Sequence, residues 1–100
     1  MNLIGTLKYG EENLSVYETT YRESGTVAVV VQDEMGVPYC KVSTFVENLN
    51  LPPNEFVVTH NTEGKLRQAL LESGLFEETN TAVSYGFVKD QPVWRLKEQA

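Results

Sequence analysis

Hydrophobic and polar positions follow a strand-like pattern over most of the chain and shift to a helical period in one stretch. Residues 3–9 mix apolar and β-tolerant side chains and end at Gly10; Gly10-Glu11-Glu12-Asn13 has turn composition. Residues 14–21 (LSVYETTY) are rich in β-branched and aromatic residues and predict the return strand of a hairpin. Glu23-Ser24-Gly25 is the next turn. Residues 26–32 (TVAVVVQ) are the strongest strand signal, with Val27, Val29 and Val31 on one face and Ala28 and Val30 on the other. Apolar residues on both faces predict a central strand covered at least partly on both sides. Asp33-Glu34-Met35-Gly36 turns the chain again, and residues 37–46 (VPYCKVSTFV) predict a fourth strand. Pro38 lacks an amide hydrogen, which places it near the strand start or on an edge-facing position.

Residues 47–54 form a loop punctuated by Pro52-Pro53, and residues 55–60 predict a fifth, short strand carrying Phe56, Val57 and Val58. Leu66, Ala69 and Leu70 then fall at helical spacing, with Leu71 widening the stripe. The expected helix spans 62–73, capped by Asn61 or Thr62, with Glu63 in its first turn and Gly74 as its stop. Gly64 weakens the first turn. Leu75 and Phe76 are expected to pack the helix exit onto the sheet, and residues 77–81 to form a polar loop. Residues 82–89 (AVSYGFVK) and 93–96 (VWRL) predict two strands around a turn at Asp90-Gln91-Pro92. The expected fold is α+β, in the order β-β-β-β-β-α-β-β. About seven strands form a mainly antiparallel sheet, strongly bent or split in two, with one short helix packed on it. One domain over residues 1–100 is expected, because two halves would each be too small to bury a stable core. If the first four strands are consecutive hairpins, the first and third turns lie at one end of the sheet, and Glu11, Glu12, Asp33 and Glu34 gather at one rim.

Charge narrows the classes. The net charge is −6, from 14 acidic and 8 basic residues. A nucleic-acid binder neutralises phosphates with a basic face, whereas the cations here concentrate as two pairs, Lys65 with Arg67 and Arg95 with Lys97. Direct nucleic-acid binding is therefore not expected. An acidic surface repels nucleic acid, keeps a protein soluble, or docks against a basic partner; solubility is the commonest of these. Cys40 is the single cysteine, so no intramolecular disulfide can form. No apolar run approaches the ~20 residues a membrane helix needs. Residues 1–10 lack a charged segment followed by an apolar one, so the protein is expected to be cytoplasmic, with no membrane association.

Few residues offer chemistry. His60, the single histidine, is a possible general base, but it closes a strand before a helix cap, where a surface or hydrogen-bonding role is commoner. Cys40 lies on a strand rather than at a helix N-terminus that would lower its pKa, so a small buried hydrophobe is the better reading. One His and one Cys make a zinc site of the usual ligands hardly possible within one chain. No Gly-x-Ser-x-Gly elbow or Gly-rich phosphate loop occurs. Glu11-Glu12, Asp33-Glu34 and Glu77-Glu78 are adjacent carboxylate pairs, which in turns are usually solvated. No catalytic residue, metal or cofactor is expected. Tyr9, Tyr17, Tyr21, Tyr39, Tyr85 and Trp94 are numerous for this length, and such residues are favoured at binding surfaces. Tyr17 and Tyr21 share a strand face opposite Leu14 and Val16. With Glu11, Glu12, Asp33 and Glu34 they make the candidate partner-binding set; the blander reading is that they cover the open face of the sheet. The alternative is a small-ligand binder or sequestering protein, with pockets formed between subunits and His60 and Arg95 as anion contacts. The sequence does not state an oligomeric state.

Three stretches carry a resemblance. The opening Lys8-Tyr9-Gly10, the middle Val37-Pro38-Tyr39-Cys40-Lys41-Val42-Ser43 after a Val-rich strand, and the C-terminal Gly74-Leu75-Phe76-Glu77-Glu78-Thr79, Ser84-Tyr85-Gly86-Phe87-Val88 and Pro92-Val93-Trp94-Arg95-Leu96 belong together. In combination they resemble a family of small bacterial, plasmid and phage proteins of unknown function, with a Tyr-Gly start, a Gly-x-Pro-Tyr middle and a GLFE…GFV…PVWRL end. The motifs are turn glycines and packed aromatics and name no active site. The resemblance implies a mobile-element context, in which small acidic proteins often act as stoichiometric inhibitors of host defence, including anti-CRISPR and anti-restriction proteins. The partner it implies is a protein, of the kind found in nucleic-acid-handling defence complexes.

Overall fold

A computed structural model describes residues 2–22, 25–46, 49–60, 62 and 64–97. Among these residues the order is β1 (Asn2–Tyr9), β2 (Glu12–Thr20), β3 (Val27–Gln32), β4 (Pro38–Lys41), β5 (Ser43–Thr44), β6 (Glu55–Val58), α1 (Gly64–Glu72), β7 (Phe76–Tyr85) and β8 (Val88–Leu96). The strands form two four-stranded antiparallel sheets, ordered β1-β2-β3-β4 and β5-β6-β8-β7. The α+β class and the antiparallel character agree with the sequence reading.

The fourth expected strand is two strands, and Val42 between them is the reason. Its amide donates to the Val29 carbonyl (3.0 Å) while its own carbonyl accepts from the Thr59 amide (2.8 Å). One fully buried residue is thereby tied to both sheets, and the chain passes from the first to the second at that point. Ser43 reinforces the crossing by accepting from the Val29 amide (2.9 Å) through Oγ.

The core lies where the sheets and helix meet. Leu14, Val16, Val27, Val29 and Val31 come from the first sheet, Phe56, Val58, Phe76 and Trp94 from the second, and Leu66 and Leu70 from α1. Phe56 packs edge-on against Phe76 and Trp94, at centroid separations of 5.5 and 6.2 Å, geometry that suits the ring quadrupoles. As the alternation in β3 predicts, Val27, Val29 and Val31 are buried; on the other face Ala28 is covered and Val30 is partly open. Gly5 allows β1 to approach the helix exit: a Cβ there would lie 2.8 Å from the Leu75 methyls.

The helix falls within the expected span. Asn61 and Glu63 lie outside the described residues. Thr62 is buried, and its hydroxyl donates to the Lys41 carbonyl (3.2 Å). Gly74 ends the helix at φ 81°, a conformation that carries a steric cost for residues with a Cβ.

The C-terminal hairpin departs from expectation. Residues 77–81 are strand rather than loop, and the reversal is Gly86-Phe87 rather than Asp90-Gln91-Pro92. The misleading residues are bulge residues. The register shifts between Glu78 and Thr81 and between Val83 and Tyr85, and Asn80 (φ 64°) and Asp90 (φ 55°) take the left-handed conformations there. Asn and Asp tolerate that conformation and therefore imitate a turn in the sequence. Pro92 is tolerated because β6 pairs with β8 only from Val93 to Arg95, so at Pro92 one flank of β8 has no β6 partner.

Candidate functional site

The meander brings the two acidic turns to one end of the first sheet. β1 and β2 reverse at Gly10-Glu11, β3 and β4 reverse at residues 33–37, and the Asn13 side-chain amide donates to the Glu34 carboxylate across them. Glu11, Glu12 and Glu34 are exposed. Asp33 differs: its Oδ1 accepts from the amides of Met35 (2.9 Å) and Val37 (3.0 Å), so this carboxylate organises its own turn. Lys8, opposite Asn13 in the register, is the nearest cation along these strands.

Apolar residues adjoin this rim. Met35, Val37 and Tyr39 are 86%, 54% and 44% exposed. Carboxylates beside exposed apolar side chains make a surface that can both steer and anchor a protein partner. Met35 and Val37 were not among the candidates drawn from the sequence, and Tyr39 figured there only among the aromatics favoured at binding surfaces; the available signal was one apolar residue, Met35, inside an otherwise polar turn.

The tyrosines do not join the rim. Tyr17 is half-buried on the outer face of the first sheet, paired with Leu3 and Val30. Tyr21 lies just past the far end of β2, about 30 Å along a nine-residue strand from Glu12. Its hydroxyl bonds Ser43 Oγ (2.9 Å) and its ring lies 5.6 Å from that of Phe45. Burial raises its pKa from 10.0, with the Ser43 bond acting in the opposite sense. The six candidate residues are therefore not one cluster, and Tyr21 helps hold the sheet crossing.

His60 and Arg95 are also apart. Arg95, on β8, pairs with Glu55 at the start of β6, whereas His60 lies past the other end, two residues after Val58. Arg95 bonds Glu77 through Nη1 and Glu55 through Nη2, each at 3.1 Å, and these partners, Glu77 first, raise its pKa. Arg67 is engaged as well: its guanidinium donates to the carbonyls of Thr62 and Thr59 and to Gln91 Oε1. His60 is exposed and lines a concavity of about 420 Å³ with Cys40, Lys41, Ser43, Thr44 and Thr59. Burial pushes the Cys40 thiol up from 9.0, the direction opposite to that of an activated nucleophile.

Among the described residues, no group of three or more His, Cys, Asp and Glu is gathered for a metal ion, and no helix is long and apolar enough to cross a membrane. Comparison with protein-family models, curated proteins and solved structures finds no match to this chain.

Proposed function

We propose that the protein is a stoichiometric binding protein that docks the acidic turn end of its first sheet against a basic surface of a protein partner. The reading extends the mobile-element resemblance: the partner is a nucleic-acid-handling defence complex, and the protein inhibits it by occupying the surface its nucleic acid would use. The observation that carries the reading is the antiparallel order β1-β2-β3-β4, which sets both acidic turns at one end, where Asn13 bonds Glu34 beside exposed Met35, Val37 and Tyr39. Carboxylates at a rim speed and orient encounter, and apolar anchors beside them slow dissociation.

The test uses purified CRISPR effector and restriction complexes, measuring inhibition and binding at increasing ionic strength. A responsive complex should be inhibited at a one-to-one ratio. Its association rate should fall steeply with salt, and the triple change Glu11→Lys, Glu12→Lys, Glu34→Lys should slow association by at least about tenfold. Binding indifferent to both salt and charge reversal would sink the electrostatic mode.

A second reading, small-anion binding, is favoured by the concavity in which His60 and Lys41 meet. Arg95 takes no part in it, being bridged by two carboxylates. Titration with inorganic phosphate, followed by NMR at His60, separates the two readings: saturable shifts there support the second.

A further inference from the structure

We propose that two copies of this chain associate head to tail, with Phe87 of one seated in the depression between β3 and β4 of the other. Both halves of this contact are present on each chain, and they do not meet within it. Phe87 occupies the tip of the β7–β8 hairpin and is 105% exposed, so no described residue of its own chain covers its ring. The depression lies on the first sheet, has a volume of about 330 Å³, and is lined by Val30, Gln32, Pro38, Tyr39, Cys40 and Lys41. A phenyl ring fits that volume, and the lining supplies the flanks of Val30, Pro38 and Tyr39.

The charges on the two sides are complementary. Lys89 and Asp90 follow the tip by two and three residues. The depression has Asp33 and Glu34 just beyond its Gln32 end and Lys41 at the other. Lys89 against Asp33 and Glu34 together with Asp90 against Lys41 joins unlike charges, whereas the reverse pairing sets like charges together. Strand β4 also leaves one flank outside the ladders of the first sheet, where it is the terminal strand, so nothing in that ladder blocks approach of a second chain.

A contact centred on one aromatic anchor buries far less than a standard interface, so the association is weak, with a dissociation constant of about 100 μM. It goes beyond the proposed inhibitory role and does not depend on it. Sedimentation velocity over about 10 μM to about 1 mM tests it with the purified chain. The mass of the wild type should rise with concentration. Phe87→Ser and Val30→Arg should each weaken association by at least about 30-fold, the loss expected at a central anchor. An equimolar mixture of the two should associate again, because one supplies an intact depression and the other an intact tip. Circular dichroism checks that each variant folds; should Val30→Arg not fold, Tyr39→Ser replaces it. A wild type that stays monomeric across the range, undiminished association in Phe87→Ser, or a mixture that fails to recover overturns the proposal.

Discussion

The β1–β2 and β7–β8 hairpins are built alike and end differently. Each turns on two residues after a tyrosine, Tyr9-Gly10-Glu11-Glu12 and Tyr85-Gly86-Phe87-Val88. In each the glycine takes a positive φ, 62° and 55°, as a type II′ reversal requires. The first hairpin has β3 paired along its second strand and presents a carboxylate at its tip. The second has β6 beside it only near its base and presents a bare phenyl ring at its tip. Within that one hairpin Phe76 is 1% exposed and Phe87 105%. Equal turn chemistry makes equal reversals; what lies alongside decides whether an apolar residue joins the core or faces water.

That contrast can be broken or sharpened by substitution. The largest effect is expected at the base of the second hairpin. Trp94→Ala removes a ring fully buried between Phe56 and Phe76 and should destabilise the fold by about 3–5 kcal/mol in urea unfolding. A loss below about 1 kcal/mol would mean that the base is not part of the cooperative core. Next comes the sheet crossing. Ser43→Ala leaves the buried Val29 amide and the Tyr21 hydroxyl without their shared partner, at a cost of about 1–3 kcal/mol by the same measurement.

Substituting the two turn glycines tests the likeness itself. Gly10→Val and Gly86→Val each force a β-branched residue to positive φ, at about 1–2 kcal/mol. Gly10→Val should lower the global melting temperature, because its hairpin is continuous with β3. Gly86→Val should mainly speed amide exchange near the tip, because local opening there leaves the core intact. Similar global losses for both would show that the second hairpin is as integrated as the first.

A smaller effect comes from pH. Tyr21 and Cys40 have folded-state pKa values raised by burial above 10.0 and 9.0. Their neutral forms are favoured in the folded protein, so this contribution is complete below the unfolded values and is lost as pH rises through the folded ones. Stability to urea should therefore decline from about pH 9 upward, and Tyr21→Phe should remove part of the decline. The smallest effect is at the second tip, where Phe87→Ser should change monomer stability by no more than about 0.5 kcal/mol. A loss matching that at Trp94 would refute the exposed tip.

Much of the fold was legible because its signals are local. The alternation in β3, the helical spacing of Leu66, Ala69 and Leu70, and the stop at Gly74 all have counterparts in the structure. The acidic turns could be placed at one end because consecutive hairpins permit one arrangement, and the Asn13–Glu34 bond agrees with it. The long C-terminal hairpin was misread because Asn80, Asp90 and Pro92 carry turn composition while serving as bulge and flank residues. The exposure of Met35, Val37 and Tyr39 is not legible in the sequence, because an apolar residue there does not declare whether anything covers it.

Period, turn chemistry and charge are properties of neighbouring residues, and the sequence alone determined them: an α+β chain of antiparallel hairpins, acidic and with one helix. Only the tertiary structure decided that Val42 joins two sheets, that Arg95 is held by Glu55 and Glu77, and that Phe76 is buried while Phe87 stands in solvent. Each of these depends on partners distant in the chain or on the lack of them, and local pattern carries no record of which distant segment will arrive.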